Sequence, residues 1–166
     1  MKTLTEQLTG YAAYHRDRRN IITHFIGIPL IVLAVAILLS RPGMQSGGLW
    51  LSPALLVGII ATVYYALLDL RFGAVMGISL AATLWLAAHV AQLSTAGWLI
   101  WGVLLFVFGW IIQFVGHYFE GRKPAFLDDI MGLAIGPLFV AAELGFLLGL
   151  RKPLAAEIEQ RLSVAT

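Results

Sequence analysis

Five apolar stretches, at residues 21–39, 49–68, 72–93, 96–118 and 126–150, follow one another with hardly any polar chain between them. A helix needs about 20 largely apolar residues to cross the hydrocarbon core of a bilayer, and every stretch is near that length. The separators are short. Ser40 to Gly48 carries Pro42 and three glycines, Asp69 to Arg71 carries two charges, Ser94 to Ala96 is a tight polar break, and Phe119 to Ala125 reads FEGRKPA. Connections of this length make consecutive helices antiparallel neighbours. Composition agrees: 60% of the 166 residues are hydrophobic and 12% are charged, against about 25% charged in an ordinary soluble domain. A globule of this size has too much surface to hide so many apolar side chains from water.

The expected fold is therefore all-α, a polytopic membrane helix bundle with four spanning helices plus a fifth segment that is broken, re-entrant or spanning. One membrane-embedded domain covers 1–166, divided into a polar N-terminal helix at 1–20, a hydrophobic bundle at 21–150 and a polar tail at 151–166. The first 20 residues are too polar, and the run after them too long, for a cleavable signal, so this segment is expected to stay in the mature chain. A net charge of +2, with basic residues beside the hydrophobic runs, suits anionic lipid headgroups. No nucleic-acid motif is present. The absence of cysteine excludes disulfides, thiolate metal sites and a cysteine nucleophile.

Lys and Arg near membrane segments favour the cytoplasmic side. Arg16, Arg18, Arg19, Arg71, Arg122 and Lys123 fall on one side if the first four runs each span, and Arg41 falls on the other. The tail is discordant, because Arg151, Lys152 and Arg161 would be extracytoplasmic if the fifth run crossed once. That run contains Asp128, Asp129, Gly136-Pro137 and Glu143, so a hairpin that returns to the cytoplasmic side and a plain fifth helix both remain open. Gly27-Ile28-Pro29-Leu30 and Ile135-Gly136-Pro137-Leu138 are faintly alike, at too few positions for a repeat.

Polar residues able to do chemistry gather at the cytoplasmic ends of runs one, four and five. Gln113, His117 and Glu120 lie at i, i+4 and i+7 and share a helix face. A histidine and a carboxylate three apart can grip one metal ion, as in four-helix di-iron bundles. They can equally be an interfacial pair, with Glu120 meeting Arg122 or Lys123. His15 and His24 are nine residues apart, on opposite faces of an unbroken helix, so they share an ion only if the chain breaks between them. Asn20 is the expected break, as the N-cap of a membrane helix starting at Ile21. His89, with Trp85 and Gln92, falls at the opposite side and reads as structural. Tyr11, Tyr14, Tyr64, Tyr65 and Trp98 read as interfacial aromatics. Imidazole and carboxylate without thiolate suit Fe, Mn or Zn, and spacing alone does not choose among them.

Tyr14-His15-Arg16, the block Asn20-x3-His24-x2-Gly27-x-Pro29, the block Gln113-x2-Gly116-His117-x2-Glu120-x-Arg122-x-Pro124-Ala125, and Pro137-Leu138-Phe139 with Glu143 together resemble the Mpo1-like family over most of the chain. The resemblance implies an iron(II)-dependent dioxygenase of fatty-acid α-oxidation that converts a 2-hydroxy fatty acid to the acid one carbon shorter. It implies Fe(II) as cofactor, with Zn or Mn less expected and no nucleotide or haem. His15, His24, His117 and Glu120 then form the catalytic metal set. Asn20 and Gln113 orient it, and Arg19 or Arg122 receives the substrate carboxylate. The implied partners are a fatty-acid or lipid substrate, O₂ and membrane lipids, with self-association left open and no nucleic acid. The expected location is the bacterial inner membrane or the endoplasmic reticulum, with the site facing the cytoplasm. Two other classes compete: a metal-dependent membrane hydrolase of lipids, and a non-enzymatic membrane scaffold or transporter.

Overall fold

The computed structural model describes residues 2–164; Met1, Ala165 and Thr166, at the edges of the expected domain, lie outside the described residues. The chain runs α1 (Leu4–Ala12), α2 (Arg18–Leu39), a hairpin of β1 (Met44–Ser46) and β2 (Leu49–Leu51), α3 (Pro53–Leu68), α4 (Leu70–Ala91), α5 (Thr95–Glu120), a 3-10 turn (Ala125–Leu127), α6 (Gly132–Leu147) and α7 (Lys152–Val164). Among the described residues three helices, α2, α4 and α5, are long and apolar enough to cross a bilayer. They mark the chain as a membrane protein, and lipid-facing side chains such as Leu104, Phe108 and Ile111 stand exposed along α5.

The second run does not give the full-length helix expected of it. Its first residues are spent on β2, which pairs antiparallel with β1 in the register Met44 to Leu51, and Ser52 caps a helix that starts at Pro53. The 16 residues of α3 reach only about 24 Å. Among the described residues three helices have the length for a span, and a fourth is reached if α6 and α7 are joined across a bend of 114°.

Distant charges hold both ends of the helix formed by the fifth run. Ahead of α6, Asp129 meets Lys2 and the Tyr14 hydroxyl donates to Asp128. Beyond it, the Arg151 guanidinium grips both oxygens of Asp69, in the turn between α3 and α4, at 3.0 and 2.8 Å. Both ends of α6 are thereby tied to the end of the bundle where α2 begins. The amphipathic α7 lays Leu154, Ile158 and Leu162 on Leu4, Leu8 and Ala12 of α1, forming with Phe139 and Tyr65 one buried cluster. Tyr65 is 3% exposed and its hydroxyl donates to the Ala134 carbonyl. It is a core residue and not the interfacial aromatic that its position suggested.

The closest helix pair is α2 with α5, and glycine allows it. A β-carbon on Gly109 would stand 2.7 Å from Ile31, and one on Gly116 would stand 2.0 Å from the Thr23 hydroxyl and 2.5 Å from Asn20 Oδ1. Small residues let membrane helices approach until backbones touch. Pro29 and Pro137 both sit inside helices, and the two similar stretches around them meet, Gly136 lying against Ile28.

Candidate metal centre

The break that lets His15 and His24 face each other lies earlier than Asn20. Helix α1 ends at Ala12, and α2 starts at Arg18 with Asp17 as N-cap, its carboxylate accepting from the Arg19 amide at 2.8 Å. Asn20 is inside the first turn of α2 and fully buried. Asp17 wins the cap because its carboxylate meets the free amides and the positive end of the helix dipole. Arg19 then folds back on Asp17 at 2.7 Å, which holds that carboxyl down at about 2.

Both histidines are aimed by the same local device. His15 Nδ1 is 2.7 Å from the Tyr11 carbonyl and His24 Nδ1 is 2.8 Å from the Asn20 carbonyl, each four residues back. A carbonyl only accepts, so Nδ1 carries the proton in both rings and Nε2 keeps its lone pair. Tyr11 stacks flat on His15 with centroids 4.1 Å apart, and Phe139 closes the same ring from α6 at 5.6 Å. From α5, His117 completes the set. The ring centroids lie 4.4 Å apart for His15 and His24 and 5.1 Å for each of them with His117. Each ring offers a nitrogen within 4.8 Å of those of the other two, and all three rings are buried.

Burial without partners is what marks this as a candidate site. Among the described residues His15 Nε2 and His117 Nδ1 find no hydrogen-bond partner, although buried polar atoms almost always have one. Desolvation pushes His15 down to about 4, so its ring is neutral near pH 7. Three neutral imidazoles without thiolate, two of them holding orphaned nitrogens, fit a borderline divalent cation such as iron or zinc, with positions left open.

Glu120 does other work. Its carboxylate accepts from the Arg16 amide at 3.0 Å, the Asp17 amide at 2.9 Å and Asn20 Nδ2 at 3.0 Å, and its oxygens are not among the converging ligand atoms. From the end of α5 it clamps the connection that carries His15. Arg122 donates to the Ala13 carbonyl at 2.9 Å, tying the same connection from the other side. Arg19 lies over the Phe119 ring at 4.5 Å, engaged with Asp17. Gln113 is buried with Oε1 unpartnered, wedged against Gly27 in a cleft lined also by His24 and His117.

Residues 1–148 match the family described as 2-hydroxy-palmitic acid dioxygenase Mpo1-like. The chain belongs to the Mpo1-like family. Over 164 residues it is 32% identical to the 2-hydroxy-palmitic acid dioxygenase MPO1 of Saccharomyces cerevisiae, an alignment that covers 97% of this chain and 90% of the yeast protein. No solved structure matches.

In this Mpo1-like chain the structure brings together His15, His24 and His117, with Asn20 and Glu120 in one adjoining network and Gln113 one turn deeper. It holds Arg19 and Arg122 in other contacts. Sequence reasoning missed Tyr11 and Phe139 as walls of the His15 ring, and Gly116 as the residue that lets Asn20 reach α5. The signal for Gly116 was present, since the glycine directly precedes His117 on the polar face.

Proposed function

We propose that this protein is an iron(II)-dependent dioxygenase that oxidises 2-hydroxy fatty acids to the acid one carbon shorter. The observation that carries the reading is the buried triad with its unpartnered nitrogens, on a chain whose yeast relative is named a 2-hydroxy-palmitic acid dioxygenase. The atoms balance as one O₂ consumed, the carboxyl carbon released as CO₂, and water formed with the shortened acid.

His15, His24 and His117 would hold the ion. Iron(II) bound there supplies dioxygen activation and a Lewis-acidic anchor for the carboxylate and hydroxyl of the substrate. The protein's own part is to aim and to exclude. The carbonyls of Tyr11 and Asn20 fix both tautomers, and Glu120 holds the His15 connection by its backbone amides. Such outer contacts fix ring orientation and raise ligand basicity. Tyr11 and Phe139 keep water off one side of His15.

The reading puts the site on the cytoplasmic side of the membrane, and the charge distribution supports this. With both ends of α6 held at the triad end, Arg151, Lys152 and Arg161 join Arg16, Arg18, Arg19, Arg71, Arg122 and Lys123 there, and Arg41 stands alone at the other end. An excess of this kind marks the cytoplasmic face.

Metal analysis of protein purified without chelator, with O₂ uptake measured on 2-hydroxypalmitate, tests the reading. Stoichiometric iron and oxygen-dependent loss of one carbon are expected, and His117→Ala should abolish both. Metal-dependent turnover of a lipid ester under anaerobic conditions would replace the dioxygenase by a hydrolase.

A further inference from the structure

The triad opens into a cleft of about 460 Å³, its open side included, bounded by α2, α5 and the segment that returns from the 3-10 turn into α6. His24, His117 and Gln113 line its polar end, and Val32, Trp110 and Leu133 line its apolar end. From His117 to Trp110 along α5 is seven residues, and from His24 to Val32 along α2 is eight. The cleft therefore runs about 10 to 12 Å beside both helices, away from the triad end and toward the middle of the bundle. Its apolar end lies where α2 and α5 are long enough to cross a bilayer, and Leu133 there is 47% exposed.

We propose that this cleft is the subsite for the substrate's alkyl chain, which lies along the α2–α5 pair below the triad and leaves sideways into lipid past Leu133. The inference rests on the dioxygenase reading for the position of the polar head. The occupant follows from continuity: one cavity joins imidazoles that suit a chelating 2-hydroxy acid to walls that suit methylenes. A helix that crossed the membrane would close that side. Both ends of α6 are instead held at the triad end, and its first residue, Gly132, packs tightly under the 3-10 turn, where a β-carbon would stand 3.0 Å from the Phe126 backbone nitrogen. A second groove, between the hairpin, α3 and α4, is larger at about 1560 Å³ but lies at the opposite end of the bundle and contains no triad residue.

The test is photolabelling of the iron-loaded protein, in vesicles and without oxygen, by a 2-hydroxypalmitate analogue carrying a diazirine at mid-chain, followed by peptide mapping. Label on Val32, Phe126 or Leu133 is expected. Label confined to the α3–α4 groove, or spread evenly over lipid-facing residues, would overturn the subsite. In a parallel assay, Leu133→Trp should lower the ratio of kcat/KM for 2-hydroxypalmitate over 2-hydroxyoctanoate by about tenfold, whereas Ala81→Trp in the other groove should leave that ratio alone. An unchanged ratio in an active Leu133→Trp protein would also overturn it. The two readings fail separately: label in the cleft without oxygen uptake would retain the subsite and remove the dioxygenase, and oxygen uptake with label elsewhere would do the reverse.

Discussion

The two ends of the bundle handle buried polar groups in opposite ways. At the hairpin end side chains close the ends of helices. Trp50 Nε1 donates to the Ser40 carbonyl at 2.9 Å, Trp98 Nε1 to the Ile37 carbonyl at 2.7 Å, and Arg41 to the carbonyls of Ala91 and Leu93 where α4 stops. Helix ends leave carbonyls without partners, and inside a membrane protein those must be met by side chains. At the triad end, by contrast, His15 Nε2, His117 Nδ1 and Gln113 Oε1 are buried and left over. The lesson concerns histidine as well. His89 at the hairpin end makes the same bond to the carbonyl four residues back, 2.8 Å to Trp85, so that bond alone marks nothing. What separates His89 from His15 and His24 is exposure and the lack of neighbouring rings to share an ion.

The sharpest way to break this contrast is to remove one histidine at a time. His15→Ala and His24→Ala are each expected to lose bound metal and turnover, a larger loss than removal of an orienting group gives, while His89→Ala keeps both. Equal loss in His89→Ala, measured by metal content and oxygen uptake, would erase the distinction between the ends. A second contrast concerns the glycines of α5. Gly116→Ala drives a methyl into Thr23 and Asn20, whereas Gly102→Ala meets the far end of the flexible Leu38 side chain. Thermal unfolding in detergent should show the Gly116 change costing about 1 to 3 kcal/mol, more than the Gly102 change, and with a fall in metal affinity that Gly102→Ala lacks.

Glu120→Gln comes next, because it weakens the clamp on the His15 connection and removes nothing from the triad. Metal affinity should drop about 10-fold to 100-fold, the range for groups that orient ligands, with thermal stability less affected than in Gly116→Ala. At the hairpin end, Trp50→Phe leaves the Ser40 carbonyl unmet and should cost about 1 kcal/mol of stability without altering metal binding. The smallest effect is on pH dependence. The Arg151 guanidinium holds the Asp69 carboxyl below its ordinary 3.8, so the pair stabilises the folded chain above that value and loses this contribution as pH falls through the lowered one. Asp69→Asn should flatten that part of the acid side of the stability profile. A profile identical to wild type would show that the pair does not pin the end of α6.

Much of the architecture was legible in residue order. Apolar runs of helical length with short polar breaks point to an all-helical membrane chain, and that is what the fold has. What spacing hid was local. Asn20 and Asp17 are both capping residues three positions apart, and the choice of Asp17 depends on how Arg19 and Glu120 approach it. The run at 49–68 is uniformly apolar, so nothing in its periodicity separates a strand at Leu49–Leu51 from the helix that follows. The turning back of 126–150 was one of two open readings. What spacing could not show is that charges far apart in sequence, Lys2 with Asp129 and Arg151 with Asp69, hold both ends of α6 at the triad end.

Residue order thus determined that the chain lives in lipid and which side chains had the chemistry for a metal, because hydropathy and donor type are properties of single residues. Only the tertiary structure decided that three histidines converge while Glu120 turns to the backbone of residues 16 and 17. Convergence depends on where α2 starts and how closely glycine lets it approach α5, and those are distances between segments about 100 residues apart in the chain.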